Sequence, residues 1–157
     1  MIESSLLVST AIQGYKWLQV WHERQANPPH LPQHAILAFQ RFKDAYDSKN
    51  IYKLGVLISS NYRGDMFGVT SKQAYLNTQK RVFNVLPWFI NPCLCINVYS
   101  IVDDTPEQFC AIIDTQSMGT AMGIPVFTYD SAPVRCRIRK ESGLWVISEM
   151  FVEERLV

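Results

Sequence analysis

Asp65 lies between Gly64 and Gly68 in the stretch NYRGDMFG, residues 61 to 68. Three readings compete there: an Arg63-Gly64-Asp65 adhesion tripeptide, a plain turn, and a carboxylate held in place for proton transfer. The chain starts MIESSLLVSTAIQGYKW, with no basic residue before Lys16 and an apolar run broken by Ser and Thr. That start has neither the positive lead of a signal peptide nor about 20 apolar residues for a membrane span. With no cysteine framework of a secreted domain either, the adhesion tripeptide reads as a chance string, and the cytoplasm is the expected compartment.

Other chemistry-bearing residues narrow the choice. Asp114 interrupts the apolar run CAIIDTQ, so it either faces solvent, meets an arginine or is tuned for function, because an unpaired carboxylate in apolar surroundings is costly. Glu149 in VISEMFVEE is equally open, while Asp103 and Asp104 flank a turn, where acids supply local hydrogen bonds. His22, His30 and His34 all precede the main body, and Pro32 breaks the HxxxH spacing, which leaves no third ligand for a metal. A Ser-His-Asp or Cys-His arrangement would need one of those histidines to fold back. No GxGxxG or phosphate-loop string is present. Cys93, Cys95, Cys110 and Cys136 never form CxxC; Cys93 and Cys95 should share one face of a strand, and the four read as small apolar core residues in a reducing cytosol, with a disulfide or reactive thiol as the alternative. What remains is acid/base chemistry by carboxylates, tyrosines and arginines without metal or organic cofactor, or binding alone.

The 15 Lys plus Arg nearly balance 14 Asp plus Glu, so no strong field recruits nucleic acid or an anionic membrane, and a small, fairly neutral ligand fits better. The 157 residues suit one principal domain. Residues 4 to 25 read as an amphipathic helix, in which Trp17 and Trp21 lie one turn apart, and NPPHLP, residues 27 to 32, stops it. The expected organisation is a helical appendage over 1 to 26, a connector over 27 to 32 and the domain proper over 33 to 157.

Within that domain, HAILAFQRFKDAYD places Ala35, Phe39, Phe42 and Tyr46 on one helical stripe. A shorter helix over Asn50 to about Ser59 should bury Ile51, Leu54 and Ile58. A third helix opens with a capping box, Thr70 with Gln73, carries Tyr75, Gln79, Val82, Phe83 and Leu86 inward, and ends at Pro87. Gln79 is the odd polar member of that stripe. Strands follow over 93–102, 108–117, 126–139 and 144–154, divided by DDTP, GTAMGIP and KESG. In VRCRIR, Val134, Cys136 and Ile138 alternate with Arg135, Arg137 and Arg139. The sum is an α+β domain of three helices on a curved, mostly antiparallel sheet, a shape that can enclose a ligand cavity. A one-residue change at the turn around Asp103 to Pro106 would exchange the faces and move Asp114 into or out of it.

The strings FQRFKDAYDSKNIYKLGVLISSNYRGDMFG, VLPWF and SGLWVISEMF, in this order of elements, resemble the nuclear transport factor 2-like superfamily, which includes ketosteroid isomerases, SnoaL-like cyclases and scytalone dehydratase. The resemblance implies a cystatin-like conical barrel with a deep pocket, often dimeric through the sheet. It implies Asp65 at the place of the isomerase's general base, Phe42 where that enzyme has its oxyanion-binding tyrosine, and Arg135 near its second acid. Phe42 cannot donate a hydrogen bond, so a different enolisable substrate would rely on Arg135, Tyr62 or Tyr99 to meet developing negative charge. The histidine expected of a scytalone dehydratase is missing from the strand region.

The expectations are therefore a homodimer holding a small, largely apolar molecule, with Asp65, Asp114 and Arg135 as candidate catalytic residues. Phe42, Tyr62, Tyr75, Phe83, Trp88 and Tyr99 are its candidate walls. The competing expectation is an interaction module, in which the sheet or the N-terminal helix meets another protein and the interior is filled core.

Overall fold

A computed structural model describes residues 30–153; the expected N-terminal helix, with Trp17, Trp21 and His22, lies outside the described residues. The first element, α1 (Gln33–Asp47), starts at Pro32, whose carbonyl accepts from Ala35 and Ile36. Ala35, Ala38, Phe39, Phe42, Ala45 and Tyr46 are buried at the three- and four-residue spacing that makes one face of a helix. Lys49, at φ 57°, turns the chain into α2 (Ile51–Val56), whose Asn50 cap accepts the Lys53 N–H at 2.9 Å.

Helix α2 is shorter than the sequence suggests, because Ile58 and Ser59 already belong to β1 (Ile58–Gly64). A single 3₁₀ turn, Met66–Gly68, leads to α3 (Lys72–Val85). The cap of α3 is Ser71, accepting the Ala74 N–H at 3.2 Å, one residue after the expected Thr70; Gln73 bonds Asn77 along the helix instead of reaching back.

Four long strands follow: β2 (Asn91–Asp104), β3 (Gln108–Ala121), β4 (Ile124–Glu141) and β5 (Leu144–Val152). The GTAMGIP divider is mostly strand. The β3–β4 connection is only Met122-Gly123 and the β4–β5 connection Ser142-Gly143, each with both residues at positive φ. Such two-residue turns match the strand twist, and glycine supplies the second position without strain. The sheet order is β1-β5-β4-β3-β2, antiparallel except for the parallel β1–β5 pair.

The architecture is thus α+β, three helices on a five-stranded curved sheet. Val134, Cys136 and Ile138 are buried in the core with Phe109, Ala111 and Ile113 of the neighbouring strand. Phe109 is wholly buried against Phe39, and truncating it to alanine would cost about 3–5 kcal/mol.

Candidate functional site

A cavity of about 20 Å³, room for a single water, lies where α1, α3 and the 3₁₀ turn meet the inner face of the sheet. Its apolar walls are Phe42, Met66, Phe67, Leu94 and Met150. Its polar walls are Tyr46, Tyr75, Gln79, Thr115, Ser117 and Asp130. Phe42 and Tyr75 were expected there from their helix stripes. Gln79 occupies the same stripe of α3, is 2% exposed and lines the cavity.

Two of the polar walls, Tyr46 and Ser117, form a connected group with Tyr129. The Tyr46 and Tyr129 hydroxyls share a hydrogen bond at 2.5 Å, and Ser117 hydrogen-bonds both. Burial pushes both phenols up, as it does Tyr75, so all three stay protonated and able to donate. Asp130 is pushed up to about 6, again by burial, while a backbone hydrogen bond from Ser131 works the other way. A carboxyl poised near neutrality, beside protonated tyrosines and a primary amide, can take or give a proton and can hold an oxygen-bearing ligand.

Tyr129 and Asp130 come inward because of one irregularity. Asp130 pairs with Ser117 and Thr128 with Met118, leaving Tyr129 as an extra residue in β4. Such a bulge breaks the two-residue alternation, so neighbours can serve one face. Tyr129 packs on the core and Asp130 lines the cavity. Neither was singled out from the sequence; an acid among aromatic and hydroxyl residues in TYDS was the available signal.

The three expected catalytic residues do not meet. Asp65 is exposed on the turn after β1, where its carboxylate accepts the Val152 N–H at 2.7 Å and its own N–H donates to the Met150 carbonyl at 3.1 Å. Asp114 lies between Ile113 of the core and Thr115 of the cavity, so its side chain takes the opposite face of the sheet, where it is buried. Arg135 shares that opposite face and pairs with Glu153 at 3.2 Å. Beside it, Arg137 binds Glu149 at 3.2 Å and Asp103 at 3.7 Å, which assigns Glu149 to an ion-pair ladder.

Among the other expected walls, Tyr62 and Phe83 are buried one layer back, Tyr62 against Tyr75 and Phe83 edge-on to Tyr46. Tyr99 is half-buried at a bulge between Val98 and Ser100. Trp88 is no wall: it is 89% exposed, because α3 stops at Val85 and Pro87 opens a turn closed by the Ile90 N–H. His34 stacks on Trp145 at 4.4 Å, far from any metal-like grouping; among the described residues no three His, Cys, Asp or Glu converge as a metal set. Nor is any described helix long and apolar enough to cross a membrane.

No family model and no curated protein matches the sequence. Solved structures do match. Aln2 from a Streptomyces species superposes with a TM-score of 0.65 at 11% identity, over 79% of this chain and 93% of that one. A protein of unknown function with a cystatin-like fold from Nostoc punctiforme gives 0.56 at 13% identity, over 77% and 90%. A candidate scytalone dehydratase from Novosphingobium aromaticivorans gives 0.55 at 11% identity, over 77% and 81%. At such identities the likeness is one of fold, and that fold is the cystatin-like one.

Proposed function

Proceeding from that shared fold, we propose that this protein binds a small, largely apolar molecule carrying one oxygen function, in the cavity between α1, α3 and the sheet, and moves a proton on it through Asp130. The observation that carries this reading is the raised carboxyl of Asp130 in one cavity with Gln79 and with Tyr46, whose hydroxyl bonds that of Tyr129. A purely structural core would be better served by apolar side chains there, since each buried polar group costs free energy unless fully satisfied. Tyr46 and Tyr129 would face developing negative charge on the ligand oxygen, Gln79 would orient it, and Asp130 would shuttle the proton without a cofactor.

At about 20 Å³ the cavity admits such a ligand only if a wall moves. Phe67 is the wall best placed to do so: it is 46% exposed and sits at φ 57°, an uncommon conformation for a residue with a bulky side chain. Native mass spectrometry of gently purified protein, with a screen of small aromatic ketones and phenols followed by side-chain NMR, tests the proposal. Expected are a retained or added ligand and shifts of the Gln79 amide and the Met66 and Met150 methyls. A screen that moves none of these signals overturns it.

A second reading is favoured by the end of the molecule where β3 turns into β4. Val85, Trp88, Met122 and Ile124 are 81, 89, 97 and 66% exposed, and the Asn91–Thr120 pairing brings their two loops together. Self-association through this end fits an apolar patch of that kind. Sedimentation of the wild type against a Trp88→Ser, Met122→Ser double variant tests it, and identical monomeric profiles would exclude it.

A further inference from the structure

Cys93 and Cys95 flank Leu94 on β2, an edge strand of the sheet that the described residues form. Both thiols are half-exposed, whereas Cys110 and Cys136 are buried. The two hydrogen-bond each other, and the Lys43 ammonium stands 3.5 Å from the Cys93 sulfur. Lys43 is itself fixed, donating to Asp47 at 2.7 Å and to the Leu94 carbonyl at 2.8 Å, while the Leu94 N–H donates to Asp47 at 2.7 Å. One ammonium and one carboxylate on α1 therefore hold both backbone groups of the residue between the cysteines. Leu94 is also a wall of the interior cavity.

We infer that Cys93 and Cys95 are a redox-active dithiol, oxidised by a low-molecular-weight disulfide to an intrastrand bridge that displaces Leu94. Cys93 is the sulfur beside the Lys43 ammonium, and that placement assigns it the attack on the oxidant. Burial and the neighbouring Cys93 raise Cys95, against the pull of Lys43, which keeps Cys95 a thiol until it is needed. In the first step the Cys93 thiolate attacks one sulfur of the oxidant, forming a mixed disulfide and expelling one small thiolate. In the second, Cys95 gives up its proton to solvent and attacks the Cys93 sulfur, and the second small thiolate leaves. The protein loses two protons and two electrons, and the oxidant gains them.

The bridge is strained by construction. Residues two apart on a strand have Cα atoms about 6.4–6.8 Å apart. That is the upper end of what a disulfide spans, about 4.4–6.8 Å. Closing it pulls the strand into a buckle at Leu94, which a strand paired among the described residues with β3 alone allows more readily than a central one. Strained, accessible disulfides are the easily reduced, regulatory kind. The dithiol chemistry stands apart from the proposed ligand binding; only the movement of the cavity wall links them.

The test is equilibration of the full chain in glutathione buffers of graded oxidised-to-reduced ratio, with acid quenching, alkylation and peptide mapping. Expected is loss of two alkylatable thiols, both on the peptide carrying Cys93 and Cys95, reversed by added reduced glutathione. Cys95→Ser should stop at a glutathione adduct on Cys93, and Lys43→Met in that background should slow its formation severalfold. Oxidation should shift the Leu94 methyl and amide resonances. The inference is overturned if no bridge forms at ratios that glutathionylate an unstructured cysteine peptide, if the bridge maps to Cys110 or Cys136, if Lys43→Met leaves the rate unchanged, or if the Leu94 signals do not move. None of these readouts depends on a ligand for the cavity.

Discussion

The Asp65 carboxylate and the Val152 N–H lie 2.7 Å apart, joining the turn after β1 to the end of the last strand. With the Asp65 N–H on the Met150 carbonyl, the contact continues the β1–β5 pairing past the end of β1. The next two residues, Met66 and Phe67, are cavity walls, so an acid that never enters the cavity positions part of its lining. Asp65→Ala should cost about 1 kcal/mol of stability. Asp65→Asn, which keeps an accepting oxygen, should lose less, and urea denaturation of the two variants measures the difference.

Gly64 is fixed by proximity. A Cβ there would stand 2.4 Å from the Met150 carbonyl oxygen and 2.6 Å from the Tyr62 hydroxyl, and the first of these is backbone that cannot swing aside. Gly64→Ala should therefore destabilise by about 1–3 kcal/mol or more. Hydrogen exchange should localise the loss to residues 58–66 and the facing half of β5, while β3 keeps its protection.

Asp130 makes stability fall with rising pH. Its folded carboxyl titrates near 6 and an unfolded one near 3.8, so between those values the folded state holds more protons and ionisation favours unfolding. The stability lost across pH 4 to 6 from this group is roughly 2–3 kcal/mol, by the conversion of about 1.4 kcal/mol per pH unit. Asp130→Asn should flatten that part of the profile and be more stable than the wild type at pH 7, as read by thermal unfolding at a series of pH values.

The Tyr46–Tyr129 hydrogen bond should be measurable as a coupling. Tyr46→Phe and Tyr129→Phe each leave a partner hydroxyl with one bond fewer, at about 1–2 kcal/mol apiece. The double variant should cost less than the sum, and a cycle with no coupling would place the 2.5 Å contact among those that contribute nothing.

Helical stripes and strand alternation made the order of elements readable, down to the inward set Val134, Cys136 and Ile138. Phe42 and Tyr75 reached the cavity for the same reason, since a helix repeats one face without needing its partners to be known. Strand residues carried no such guarantee. The side of Asp114 depended on register across β2 and β3, and the inward turn of Tyr129 and Asp130 depends on a bulge that no pairing rule places in a single strand. Trp88 was expected as a wall from its position between the third helix and the first of the long strands, but the turn begun by Pro87 leaves it exposed.

The one parallel pairing in the sheet joins β1, the first strand, to β5, the last. On a ribosome, α1, α2 and β1 emerge long before β5, the strand that among the described residues is the neighbour of β1. Until Leu144 to Val152 has been made, β1 lacks the ladder that helps hold Met66 and Phe67 over the cavity. The walls that Met66, Phe67 and Met150 give the cavity of Tyr46, Gln79 and Asp130 therefore depend on a strand far along the chain from β1.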